Sequence, residues 1–349
     1  MSMNVTFLIG NGFDINLGLN TKYKNFVDVY CNDLRQDDGT IHKFKKDIIQ
    51  RNLPLWSNAE WAFGNQTSQI KDHFTVKDYC KCHEDFCVSL ANYLKEEQKK
   101  FVMSKENARA ICEKFSTAIN NLSVGFRNAP RTEIRSLISK YNDFHFNFID
   151  FNYTDVLDRI CSETSNSCGW GKHNNYLNSK GKLIHVHGTV EKDMVLGVHD
   201  ETQIANLECF KSVDKYYLAQ LIKSQTDAVN EENTYSQTFQ ILDSSDLIYI
   251  YGMSLGETDK LWWESICKLL QTKTYLRVII HSHGAPLNEL LNFERRRHED
   301  AQRNRLFDFG NVDEKTRTAI QSRVHVTGAN IFEALKDIAK QRDSEAKAS

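Results

Sequence analysis

The sequence predicts an α/β protein, a doubly wound and largely parallel sheet of the Rossmann type that carries a helical insertion. Three observations predict it. Val5 to Ile9 is a short β-rich apolar run that stops at Gly10-Asn11-Gly12 and gives way to helical spacing. The second half of the chain holds further β-prone runs, most of them separated by helical segments, the alternation of a parallel sheet covered on both faces. Only three prolines occur in 349 residues, beside long Lys/Glu-rich stretches, which suggests much helix and few rigid turns.

The first unit reads as strand, turn and helix. In α/β proteins a strand that breaks into a glycine turn and then a helix is suited to a nucleotide phosphate, because glycines let backbone N–H groups approach it and the helix N-terminus favours negative charge. Gly10-Asn11-Gly12 is not the dinucleotide pattern G-x-G-x-x-G, since Phe13, Asp14 and Ile15 follow Gly12. No G-x-x-x-x-G-K-[ST] occurs either, which disfavours a Walker-type ATPase. A tight strand-to-helix turn without a ligand is the other reading of these residues.

Asp14 to Tyr30 reads as the first helix, with Thr21 on it or on the turn after Gly18. Residues 32–76 are irregular, with a turn at Asp37-Asp38-Gly39-Thr40 and an aromatic stretch around Glu60-Trp61. From Lys77 to Phe126 apolar residues recur at helical spacing, and a further helix is expected over Thr132 to Tyr141. These helices make residues 31–142 an insertion within a single domain spanning 1–349. The later strands are Phe144–Phe151, Leu183–His187, Met194–Val198, Asp246–Tyr251, Leu276–Ser282 and Arg323–Thr327. Helices are expected over Thr154–Cys161, Leu207–Ala228, Thr258–Leu270, Asn288–Arg305 and Ile331–Gln341, before a frayed polar tail over 340–349.

Composition narrows the function. With 40% apolar and 26% charged residues and a formal charge of −2, the chain is an ordinary globular protein with no whole-chain attraction to nucleic acid. No signal peptide or membrane-spanning run is evident, so a cytoplasmic location is expected. Nine scattered cysteines argue for reduced thiols. Cys80, Cys82, His83 and Cys87 lack the second pair that would close a tetrahedral zinc site, and helix cysteines are the plainer reading.

Ligands in parallel sheets bind beyond the carboxyl ends of the strands. Asn152-Tyr153-Thr154-Asp155 stands just past one strand, His187-Gly188-Thr189 past another, and Gly252-Met253-Ser254-Leu255-Gly256 with Thr258-Asp259 past a third. A histidine in a strand is commonly a core residue, but His187 precedes a glycine at a strand's edge. Glu60 reads as a surface carboxylate between packing tryptophans, or else as a second carboxylate of the site. Trp262-Trp263 reads as core or oligomer contact. Arg295-Arg296-Arg297 reads as a solvated basic face balanced by Glu294, Glu299 and Asp300.

The order IGNGFDINLGLNTKYKNF, Glu60-Trp61, FNYTD, HVHG and YGMSLGETD resembles the AbiH family of bacteriophage abortive-infection proteins, and its layout is similar to the sirtuin-like NAD-binding domains of bacterial defence proteins. The resemblance implies that Gly10, Asn11 and Gly12 lie under a pyrophosphate, with Asp14 and Thr21 near a ribose. It implies that Asn152 positions an attacking water, that His187 is a general base, and that Gly252, Ser254 and Asp259 bind the adenosine half. The sequence departs from true sirtuins at Asn11 and Phe13 and lacks their C-x-x-C pairs, so no structural metal is expected and protein deacylation is the least supported activity. Met253 stands where relatives often show histidine, and a thioether does no acid–base work. The implied function is phage defence by hydrolysis of NAD to nicotinamide and ADP-ribose, with NAD as substrate and control by a partner protein or homo-oligomer. The alternative is a module that senses NAD or ADP-ribose without turning it over. A nuclease lacks any recognisable cluster of metal-binding carboxylates.

Overall fold

The computed structural model describes residues 1–33, 39–52, 56, 58–229, 233–284 and 292–336. By internal contact the chain divides into two compact units, one made of Met1–Gly18, Phe101–Val186 and Ser236–Ser349, the other of Leu19–Lys100 and His187–Tyr235. Among the described residues no helix is long and apolar enough to cross a membrane.

The first unit is built on a six-stranded sheet, parallel throughout. Its strands are β1 (Ser2–Ile9), β2 (Asp143–Asp150), β3 (Ser179–His185), β4 (Leu247–Tyr251), β5 (Arg277–His281) and β6 (Val324–Thr327). They lie in the order β3-β2-β1-β4-β5-β6, that of a doubly wound α/β fold, with the reversal of strand order beside β1. Parallel strands covered on both faces need near-continuous apolar sequence, and Val5, Phe7, Leu8 and Ile9 of β1 are wholly buried. Register is marked by aromatic rings: Phe7 pairs with Phe148 of β2 and Tyr249 of β4, and its ring stacks on theirs at 5.6 and 5.4 Å. The same register places Ile9, Asp150, Tyr251 and His185 in one row at the carboxyl ends of four neighbouring strands.

The second unit is mainly helical and is held by rings. Phe86, on the long helix Val76–Lys99, meets Phe26 and Phe63 edge-on, each at 4.9 Å between centroids. Thr75 caps that helix by accepting the N–H of Asp78.

Several expected elements take a different form. Met194–Val198 joins no sheet: it lies in the second unit, where Val198 forms a single bridge to Ile222. Leu196 and Val198 are buried there, so this short apolar run is covered without a ladder, an ambiguity that periodicity alone cannot resolve. β3 starts at Ser179, because its polar first half, with Lys180 and Lys182, forms a sheet edge that charged residues suit. The helix expected over Asp14–Tyr30 is two helices, Gly12–Asn16 and Tyr23–Asn32, broken where Gly18 adopts φ +88°. Leu207–Ala228 is likewise three short pieces, Leu207–Phe210, Lys215–Ala219 and Lys223–Val229, with Asp214 capping the second. The start of the turn at 37–38, the first residues of the helix at 288, the end of the helix from 331 and the tail at 340–349 fall outside the described residues.

Candidate functional site

The turns leaving β1 and β4 touch backbone to backbone. Gly10 N–H donates to Tyr251 O at 2.9 Å and Gly12 N–H to Gly252 O at 2.8 Å. A Cβ on Gly12 would stand 2.4 Å from Gly252 Cα, and one on Gly10 2.5 Å from Met253 Cγ. Gly252 itself sits at φ +69°. Close approach of two backbone turns therefore explains these glycines. The N–H groups of Gly10, Gly12 and Phe13 all donate to protein carbonyls, and the helix behind the turn is only five residues long.

Carboxyl groups are what this row offers instead. Asp14, 1% exposed, accepts a hydrogen bond on Oδ2 from Thr154 Oγ1 at 2.7 Å, while its Oδ1 has no hydrogen-bond partner among the described residues. Burial raises its pKa to about 7, against the opposing Thr154 hydrogen bond. Asp150 is fully buried; its Oδ1 accepts the Asn152 N–H at 2.9 Å and its Oδ2 likewise has no hydrogen-bond partner among the described residues. Burial again dominates and lifts the pKa to about 8.

His185 compensates these acids. Burial opposes its charge, but the Asp158 hydrogen bond and the nearby carboxylates outweigh it and raise the pKa to about 9. Its Nε2 lies 2.6 Å from Asp158 Oδ2 and its Nδ1 3.1 Å from Asn152 O. Both partners are acceptors, so both nitrogens donate and the ring is an imidazolium. Ligand atoms of Asp150, Asp158 and His185 lie within 4.8 Å of one another, close enough to consider a metal. A metal would need a lone pair that this imidazolium does not have, and the ring already supplies the positive charge. A metal there would have to displace the ring proton and the 2.6 Å His185–Asp158 hydrogen bond.

Asn152, 5% exposed, is held at three points: its N–H on Asp150, its Nδ2 donating to Gly10 O at 3.3 Å, and its carbonyl under His185. Of the residues singled out in the sequence, Gly10, Gly12, Asp14, Asn152 and Gly252 are thus brought together. Asn11 is half-buried beside them; Ser254 is exposed, and half-buried Asp259 precedes the helix Lys260–Thr272. Trp263 of that helix is buried and donates Nε1–H to Gly256 O at 2.9 Å, a core role.

Thr21 and His187 belong to the second unit, and both are buried. His187 is accompanied by charges that the sequence did not announce. Lys223, 2% exposed, places Nζ 2.8 Å from Glu60 Oε2 and 3.4 Å from His187 Nε2. Tyr23 OH lies 3.4 Å from Glu60 Oε1. Glu60 is consequently no surface residue: it is 7% exposed, in the first turn of the helix Ala59–Gln66. His83 is a core histidine, bonded through Nε2 to Leu196 O at 2.9 Å, with burial lowering its pKa to about 4. All nine cysteines are free thiols.

Asp150, Asp158, His185 and Lys223 went unread in the sequence. His185 carried a faint signal, standing two residues before His187 on a strand; Lys223 carried none. Arg295 also departs from a solvated face, being buried with its guanidinium on Glu299 and Gly125 O.

No curated protein matches this chain. The family described as bacteriophage abortive infection AbiH matches residues 6–281, from within β1 to the end of β5. That span covers most of the chain, with Asp14, Glu60, Asp150, Asn152, His185, His187, Lys223 and Gly252 inside it, and the protein belongs to the AbiH family of bacteriophage abortive-infection proteins.

Proposed function

We propose that this abortive-infection protein hydrolyses NAD to nicotinamide and ADP-ribose, so that an infected cell stops growing before phage mature. The observation that carries the reading is the pair of buried carboxyl oxygens without a hydrogen-bond partner among the described residues, Asp14 Oδ1 and Asp150 Oδ2, beside a rigidly held Asn152 at the carboxyl ends of the strands. Protonated or half-protonated acids both donate and accept hydrogen bonds, which suits ribose hydroxyls better than phosphate oxygens. Asp14 takes the ribose, in a sirtuin-like arrangement, while Gly252, Ser254 and Asp259 serve the adenosine half.

In the reaction, water attacks the ribose carbon as the glycosidic C–N bond breaks. The bond's electron pair goes to nicotinamide, which leaves neutral, and the water gives up a proton. Because the leaving group needs no acid, catalysis consists in stabilising an oxocarbenium-like charge and directing water. Asn152 positions the water, saving orientation entropy without adding charge. His187 is the general base, a role worth roughly 10²–10⁴-fold.

A second reading has its own support. The amides of Gly10, Gly12 and Phe13 are already bonded to protein carbonyls, which leaves less backbone for a pyrophosphate and favours a module that senses NAD or ADP-ribose without cleaving it. Purified protein incubated with NAD, with nicotinamide and ADP-ribose followed by chromatography, separates the two. Release that Asn152→Ala and His187→Ala both remove supports the hydrolase. Calorimetric binding without turnover supports the sensor, and neither binding nor turnover sinks the NAD reading for the isolated chain.

A further inference from the structure

We infer that Lys223, anchored by Glu60, is a positioning residue that holds His187 neutral with its ring hydrogen on Nδ1 and its Nε2 lone pair engaged, so that the base is masked. The inference rests on the reading of His187 as a base and deepens it. Three observations meet here. The Lys223 ammonium is almost wholly buried, 2.8 Å from a carboxylate that is itself 7% exposed. A buried lysine beside such a carboxylate keeps its proton, because the pair compensates charge that burial would otherwise expel.

An ammonium only donates, so at the 3.4 Å contact His187 Nε2 is the acceptor. A neutral imidazole with one nitrogen accepting carries its hydrogen on the other, and that places the hydrogen on Nδ1. Protonation of Nε2 is opposed twice, by loss of this hydrogen bond and by the adjacent positive charge. A base whose lone pair is already occupied abstracts no proton until the ammonium withdraws. Tyr23, with its OH 3.4 Å from Glu60 Oε1, adds a polar contact to the carboxylate that anchors the lysine.

The test reads the ring directly. The protein labelled with ¹⁵N-histidine is compared with Lys223→Met/Glu60→Gln, a double variant that removes both charges of the pair; His187→Gln identifies the signal. The wild type is expected to show Nδ1 protonated and Nε2 bare. The double variant is expected to shift the ring toward the Nε2-protonated tautomer, the two forms now exchanging so that the Nε2 lone pair of the other is unmasked, and to release nicotinamide from NAD about tenfold faster or more. A wild-type His187 already protonated at Nε2 overturns the inference, and this reading needs no variant to fold. The same tautomer in both proteins also overturns it, as does slower turnover in a variant whose tautomer has switched. A switched tautomer with no NAD turnover in either protein leaves Lys223 in its role and counts against the NAD hydrolase.

Discussion

The backbone N–H of Asn152 rests on Asp150 Oδ1 at 2.9 Å, so the residue proposed to direct water is aimed by a carboxyl group two positions before it. Such a local side-chain to backbone bond fixes the turn out of β2. Asp150→Ala removes the acceptor and strands a buried N–H, at a cost of about 1–3 kcal/mol. Asp150→Asn keeps an acceptor of the same shape. Urea unfolding is expected to rank Asp150→Ala well below Asp150→Asn, and equal destabilisation would refute the role of Oδ1.

Asp14, on the helix after β1, and Asp150 and His185 of the row act in the same sense with pH. Asp14 and Asp150 have folded pKa values of about 7 and about 8, above their ordinary 3.8, and His185 about 9, above 6.5. A raised folded pKa contributes stability that is fully present below the unfolded value and lost as pH rises through the folded one. The acids lose theirs between about pH 4 and 8, and His185 between about 6.5 and 9. Unfolding free energy is therefore expected to fall steadily from pH 5 to pH 9. Asp150→Asn should flatten that slope, and a stability that climbs with pH over this range would contradict the assignment.

Among the described residues the Asp14 carboxyl group accepts one hydrogen bond, from Thr154 at 2.7 Å to Oδ2. Thr154→Val leaves both carboxyl oxygens bare, so the Asp14 pKa rises further. The expected loss is about 1–3 kcal/mol at pH 8, where the acid must bury a charge, and clearly less at pH 5. Thermal melts at the two pH values decide it: a loss that is the same at both excludes a role through the carboxylate.

Two glycines of the N-terminal segment differ in what surrounds them. Gly18 has a left-handed φ of +88° but open space around a Cβ, whereas Gly12 faces Gly252 Cα at 2.4 Å. Gly18→Ala is expected to cost about 1 kcal/mol of backbone strain. Gly12→Ala must push two backbone turns apart and should cost more than twice that, with loss of any NAD binding. Similar melting temperatures for the two variants would show that the turns yield easily.

The sheet was legible because parallel strands leave a coarse trace: FLI, FNFID, LIYIY and RVII are apolar runs with helices between them. Met194–Val198 left the same trace and is no strand, since burial under helices and burial in a sheet demand the same residues. In the candidate site, the positions just past the strands were legible from topology alone, which is how Asn152 and Gly252 were found. Asp150 and His185 lie within strands and looked like parts of them. Glu60 and Lys223 stand 163 residues apart, and no local pattern announces a pair that only folding makes.

β1 is the first strand of the chain and sits in the middle of the sheet, between partners that begin at Asp143 and Leu247. Vectorial synthesis follows from this. β1 leaves the ribosome well before its partners and waits unpaired for more than 140 residues before it meets one neighbour and for some 240 before it meets the other, the long-range pairing that makes folding slow. Gly10, Asn152 and Gly252 come together only when the last of them has emerged. The candidate site is thus assembled only after some 240 residues beyond β1 have been made, and translation itself delays it.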